Sequence, residues 1–167
     1  MIDHIIFDID GTLTDGGIII SSNGVESKAF QAKDGLLMRV LPKLGFTTIM
    51  LTGRKSDLTV IRAEDLCISV VIQGVDYKKE VLCDYLAKHN LSPERFAYIG
   101  DDLNDYAAMK LCGFKACPAD AVREIRDICD YVSKKKGGDG AARDICEYLL
   151  RKQHQYDDLL KLFEVLK

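Results

Sequence analysis

Short apolar runs recur along the chain, each followed within a few residues by a stretch with helical spacing, and that alternation leaves few architectures open. Strand-like runs are read at His4–Ile9, Phe46–Leu51, Ser69–Gln73, Phe96–Ile99, Phe114–Cys117 and Tyr131-Val132. Helices are predicted over Asp34–Leu44, Lys55–Leu66, Lys78–Lys88, Leu103–Leu111 and Ala121–Ile128, with Ala141–Arg151 and Asp157–Lys167 closing the chain. Asp34 is the candidate N-cap of the first helix, Ser56 lies near the start of the second, and Pro42 should end the first one early. Strands alternating with helices need crossover connections, and so a doubly wound, mostly parallel α/β sheet with helices on both faces. One pair of runs breaks the alternation: Ile18–Ser22 and Val25–Phe30 flank Asn23-Gly24, a hairpin signal whose turn asks both central residues for positive φ. A single domain over 1–167 is expected, with the hairpin insertion over about 16–31 and a C-terminal tail over about 152–167.

Composition enters by exclusion. Lys and Arg number 23 against 26 Asp and Glu, a formal charge of −3; a general binder of nucleic acid or membrane surfaces would need a basic excess. Asp3, Asp8 and Asp10 interrupt what would have to be the apolar core of a signal peptide. No apolar run approaches the roughly 18 residues of a membrane span, so a cytoplasmic protein is expected. The six cysteines include no C-x-x-C pair and no histidine at ligand spacing, which points to reduced, packed side chains.

In a doubly wound sheet the site lies at the carboxyl ends of the strands, and four polar clusters follow predicted strands. Asp8 and Asp10, two residues apart in Asp8-Ile9-Asp10-Gly11-Thr12, repel in a low dielectric, and a divalent cation relieves that repulsion. Their surroundings can separate their roles, one ionised as nucleophile and the other shuttling a proton. Alone, the pair also suits an Asx turn or a calcium loop. Thr52-Gly53-Arg54 offers a hydroxyl and backbone amides for phosphate oxygens, or an ordinary strand-to-helix turn. Lys78 beside a phosphate would neutralise developing charge; elsewhere it would be a solvated lysine. Asp101, Asp102 and Asp105 gather at another strand end, where Asp101 suits Mg²⁺, or where Asp102 or Asn104 caps a helix.

Taken in order, acid pair, Thr-Gly, Lys and Asp-Asp resemble the haloacid dehalogenase phosphatase superfamily, with its Rossmann-like sheet, over nearly the whole chain. The resemblance implies that Asp8 attacks phosphorus and that Asp10 protonates the leaving alcohol, then activates water. It implies Mg²⁺ held by Asp8, the Asp10 backbone carbonyl and Asp101. Thr52 and Lys78 would bind the phosphoryl oxygens, with Asp102 and Asp105 supporting the metal site and Lys78. Only about twenty residues separate the acid pair from the Asp34 helix, too few for a cap domain, so another subunit is expected to close the site.

The hairpin, Phe30-Gln31-Ala32-Lys33-Asp34-Gly35 and Gly137-Gly138-Asp139-Gly140-Ala141-Ala142-Arg143 together resemble the capless 3-deoxy-D-manno-octulosonate 8-phosphate (KDO 8-phosphate) phosphatase family. That resemblance implies a sugar-acid phosphate as substrate and a homotetramer built around the hairpins, with Ile18, Ile19 and Ile20 as candidate interface residues. It places Thr12, Lys33, Asp34 and Gly35 at the substrate, together with Gly53, Arg54 and Arg62. Arginine at positions 54 and 62 is similar to the octulosonate branch. The related nonulosonate 9-phosphate branch has an acid at the first position and a lysine three past the second, where this chain has Asp65. Tyr77-Lys78 stands where the family often has Asp-Lys, which leaves Lys79 as an alternative, and Asp139 stands where some relatives carry a basic residue. Two other readings are a non-catalytic tetramerising domain, similar to that attached to acylneuraminate cytidylyltransferases, and a phospho-acceptor receiver. Neither has a use for Asp10 beside Asp8.

Overall fold

The computed structural model describes residues 1–166. Six parallel strands form one sheet: β1 (His4–Phe7), β4 (Thr47–Thr52), β5 (Val70–Gln73), β6 (Phe96–Ile99), β7 (Phe114–Cys117) and β8 (Tyr131–Val132), in the order β5-β4-β1-β6-β7-β8. A separate antiparallel pair, β2 (Ile19–Ile20) and β3 (Glu26–Ser27), makes the hairpin. Helices α1 (Ala32–Val40), α2 (Asp57–Asp65), α3 (Lys78–His89), α4 (Leu103–Met109), α5 (Arg123–Ile128), α6 (Ala141–Lys152) and α7 (Tyr156–Leu162) complete the chain.

Strands covered on both faces read as continuous apolar runs, and all four residues of β1 and of β6 are buried. Alternation along each strand then divides the core in two. Ile5, Phe7 and Ile99 pack with Leu37 and Met38 of α1, Ala63 of α2 and Ile145 and Leu149 of α6. Ile6, Phe96 and Tyr98 pack on the other face with Leu82 of α3, Met109 of α4 and Ile125 of α5. The winding reverses around β1, with β4 on one side and β6 on the other. That is the crevice where such sheets bind ligands.

Three local expectations are corrected. The hairpin strands are two residues long each, and among the described residues only Gly24 of its turn takes positive φ (+84°). The Asn23 side chain accepts from the Ser21 hydroxyl and the Val25 N–H, and Ser21 and Val25 close the turn through their backbones. Gln31, not Asp34, caps α1, and it accepts from the Lys33 N–H. Ser56 does occupy the N-cap of α2, but its side chain makes no cap bond. The final helix stops at Leu162: Val165 donates back to the Leu160 carbonyl and Glu164 turns left-handed (φ +57°), a C-terminal stop. Lys167, the predicted end of that helix, lies outside the described residues. Pro42 acts as expected, with α1 ending at Val40 and a 3₁₀ turn over Leu41–Leu44.

Candidate active site

Asp8 donates its N–H to the Ile99 carbonyl at 2.9 Å, so it sits at the carboxyl end of β1 while the sheet is still pairing. The loop then folds back, with Thr12, Leu13 and Thr14 all donating backbone N–H groups to the Ile9 carbonyl. Gly11 makes this possible: its φ is +100°, and a Cβ there would overlap the Asp101 carboxylate. The glycine-rich segment lies against the same loop. Gly138 donates its N–H to Thr12, and a Cβ on Gly137 would overlap the Gly11 carbonyl. The β1–β4 register, Phe7 opposite Met50, carries buried Thr52 to the same edge.

Lys78, the first residue of α3, is fully enclosed and donates to Asp8 Oδ1 at 2.5 Å and to Asp105 Oδ1 at 2.6 Å. Asp105 also accepts from the Tyr98 hydroxyl at 2.8 Å and from the backbone N–H groups of Asp101 and Asp102. Both of its oxygens are thus occupied. Asp102 faces solvent as the N-cap of α4, its carboxylate accepting from the Leu103 N–H at 2.7 Å. Asp101 accepts from the Thr12 hydroxyl at 2.9 Å. Lys79, next to Lys78, is exposed.

Oxygens of Asp8, Asp101 and Asp105 lie within 4.8 Å of one another. Burial, and then the charge of Asp105, push Asp8 well above the ordinary carboxylate range against the pull of Lys78. Burial and Asp105 likewise push Asp101 up to about 6. Burial opposes the charge on Lys78, but Asp8 and Asp105 outweigh it and hold the ammonium above its usual value. Burial and the nearby carboxylates keep the Tyr98 phenol protonated, a donor to Asp105. Three carboxylates around one ammonium carry an unmatched double negative charge when ionised. A divalent cation fits that deficit, and since Asp105 has no free oxygen, Asp8 and Asp101 are the side chains to hold it.

Other residues singled out in the sequence lie apart from the Asp8, Asp101 and Asp105 cluster. Arg54 donates to Glu26 Oε1 at 3.1 Å and brings its Nε within 3.9 Å of Asp10 Oδ2. Arg62 pairs with Asp65 at 2.5 Å, lies over the Phe30 ring and lines a cavity of about 230 Å³ with Gly35 and Arg39. The two arginines therefore pair with different acids, Glu26 and Asp65. Lys33 and Asp139 line a separate cavity with Lys135 and Arg143. Asp34 is buried, ties α1 to α6 by accepting the Arg143 N–H at 2.8 Å, and is raised by burial. Sequence reasoning missed Lys28, whose side chain is 2 % exposed and pairs with Asp10, and Glu26, which binds Arg54 and Ser56. Their spacing was the available signal, since residues two apart on a strand share a face.

Residues 46–145 match the family of haloacid dehalogenase-like hydrolases. The 3-deoxy-D-manno-octulosonate 8-phosphate phosphatase of Escherichia coli K12 is 38% identical over 154 residues, 92% of this chain and 82% of that protein. The chain belongs to this phosphatase family within the haloacid dehalogenase-like hydrolases. The crystal structure of the family's Moraxella catarrhalis phosphatase, in complex with a magnesium ion, a phosphate ion and a KDO molecule, has a TM-score of 0.93. It is 38% identical to this chain, covering 98% of it and 94% of that chain. The Yersinia pestis phosphatase structure gives a TM-score of 0.89 at 36% identity, covering 93% and 84%. The chain shares the Rossmann-like parallel sheet of these structures, and its described residues form no cap domain.

Proposed function

We propose that this protein hydrolyses 3-deoxy-D-manno-octulosonate 8-phosphate to the free sugar acid and phosphate, with Mg²⁺ as cofactor. One observation carries the reading: the cluster of buried Asp8, Asp105 and Lys78 with half-buried Asp101, short of positive charge, in a chain so similar to a phosphatase that binds magnesium, phosphate and KDO. Asp8 and the Asp101 side chain would hold the ion, with the Asp10 carbonyl, and the ion would offset the charge of the phosphoryl group. Asp8 attacks phosphorus and the bond to the sugar oxygen breaks, while Asp10 gives that oxygen its proton. Water then attacks the phosphorus of the aspartyl phosphate, the bond to Asp8 breaks, and Asp10 takes the proton of the water. Thr52 and Lys78 bind the phosphoryl oxygens, and Asp105 keeps Lys78 in place. Thr12, Gly53 and Arg54 complete the site near the phosphate. Arg62 and Gly35, which line one cavity, serve the sugar acid, while buried Asp34 holds α1 against α6 and Lys33 lines the other cavity.

Ile18, Ile19, Ile20 and Val25 are 45–61% exposed on the hairpin, an apolar patch of the kind that marks an interface. They support a homotetramer in which neighbouring subunits cover each site. Six unpaired cysteines suit a reducing cytoplasm, and lipopolysaccharide assembly is the proposed setting. The test is phosphate release with Mg²⁺ from the octulosonate 8-phosphate and from a nonulosonate 9-phosphate, with Asp8→Asn as the blank. Preference for the eight-carbon substrate is expected. Preference for the nine-carbon substrate would overturn the substrate, and release from neither would make the domain a scaffold. Sedimentation of Ile19→Lys, expected to give species smaller than the wild type, tests the tetramer.

A further inference from the structure

The two oxygens of Asp10 are treated differently. Oδ1 accepts from Lys28, whose side chain is 2 % exposed although it sits on the hairpin. Oδ2 is buried and has no hydrogen-bond partner among the described residues, and Arg54 Nε is 3.9 Å away from it. Arg54 is drawn off by Glu26, which accepts from its Nη2 at 3.1 Å and from the Ser56 hydroxyl at 3.0 Å. Glu26 also lies 3.9 Å from Lys28 Nζ, so it draws on both cations around Asp10. A buried polar atom without a partner costs free energy, and here it is the atom a proton donor needs to keep free.

We propose that Lys28 is a positioning residue: by fixing Asp10 Oδ1 it turns Oδ2 toward the leaving oxygen, so the hairpin sets the aim of the acid–base group. The inference rests on the reading of Asp10 as acid and base. The proton travels from Asp10 Oδ2 to the oxygen released from phosphorus, and Lys28 neither gains nor loses one.

A leaving group that needs no proton separates this role from a structural one. Wild type, Lys28→Met, Lys28→Gln and Lys28→Arg, each with Mg²⁺, are compared on para-nitrophenyl phosphate, whose phenolate leaves unprotonated, and on β-glycerophosphate, whose alkoxide does not. kcat/KM is the quantity to read, because it covers the steps through loss of the leaving group and not hydrolysis of the aspartyl phosphate. General acid catalysis supplies about 10²–10⁴-fold, so the neutral variants should lose roughly tenfold or more on the alkyl ester and less than about threefold on the aryl ester. Lys28→Arg should restore most of the loss. The ratio of the two values is internal to each preparation, so partial misfolding cancels from it. Equal losses on both esters, or none on either, in variants of an active wild type would overturn the role of Lys28 alone. A wild type inert on these esters and on the sugar phosphates would overturn the functional reading, and this role with it.

Discussion

Replacing Lys78 by Met tests the charge balance of the site through stability instead of turnover. Met keeps much of the apolar stem and removes the ammonium that Asp8 and Asp105 share at 2.5 and 2.6 Å. Removing one partner of a buried ion pair costs about 3–5 kcal/mol. For a chain of 167 residues, about 2–4 °C per kcal/mol gives a melting temperature lower by roughly 6–20 °C. The loss should depend on pH. Asp8 already sits well above the ordinary carboxylate value because of burial and Asp105, and losing the ammonium raises it further. Between the unfolded value near 4 and the raised folded value the native state holds the extra proton, so stability falls as pH rises. Lys78, raised in the fold, is charged in both states below about pH 10, so its contribution is constant there and is lost only at higher pH. The deficit of the variant should therefore be larger at pH 8 than at pH 5. Thermal unfolding followed by circular dichroism with EDTA at both pH values measures it. Adding Asp105→Asn should recover part of the loss at pH 8, since a charge left without its partner is then removed. A melting temperature within about 2 °C of wild type at pH 8, or the same deficit at both pH values, would refute the reasoning.

Asp8→Asn should abolish phosphate release yet leave the metal-free protein at least as stable as wild type, because it removes a carboxylate that burial and Asp105 disfavour; a lower melting temperature in EDTA would count against this. Mg²⁺ at a hundred times its dissociation constant should stabilise by about 2.7 kcal/mol. Protons compete for the same oxygens, so that gain should fade below about pH 6, where Asp101 takes up a proton, and differential scanning calorimetry across pH would show it. Gly11→Ala forces a Cβ onto the Asp101 carboxylate at a φ of +100°. A cost of about 1–3 kcal/mol together with loss of phosphate release is expected, and a variant with native activity would contradict the packing described.

The central strands were legible because their physics is local and strong. His4–Phe7 and Phe96–Ile99 are runs with no solvated face, which an α/β sheet buries from both sides. Asp8, Thr52, Lys78 and Asp101 were legible as candidates because each follows such a run. What escaped depends on contacts between distant segments. Asp34 has the chemistry of a helix cap, but its carboxylate is taken by the Arg143 N–H, 109 residues away, and Gln31 caps instead. Asn23-Gly24 has the dipeptide of a two-residue turn, but the Asn23 side chain bonds inside the turn and leaves Gly24 alone left-handed. Lys28 reads as a solvated charge in an exposed hairpin until the fold sets Asp10 against it. The partners of Arg54 and Arg62 were not legible either: Glu26 pairs with the first and Asp65 with the second.

Asp8 and Asp10, neighbours but one in sequence, are anchored to parts of the molecule that loosen at different free energies. Behind Asp8 stands Asp105, which gathers donors from α3, β6 and the start of α4 into one carboxylate. Asp10 is moored through Lys28 to a hairpin whose strands are two residues long, a size that holds together poorly in water without outside support. Local opening follows the density of buried contacts. Amides of Phe96–Ile99, the buried strand behind Asp105, should exchange with deuterium only when the whole domain unfolds, while those of Ser21–Val25 exchange through far smaller openings. The crevice thus has one wall fixed by the core of the domain and one held only as firmly as the hairpin and whatever packs against it.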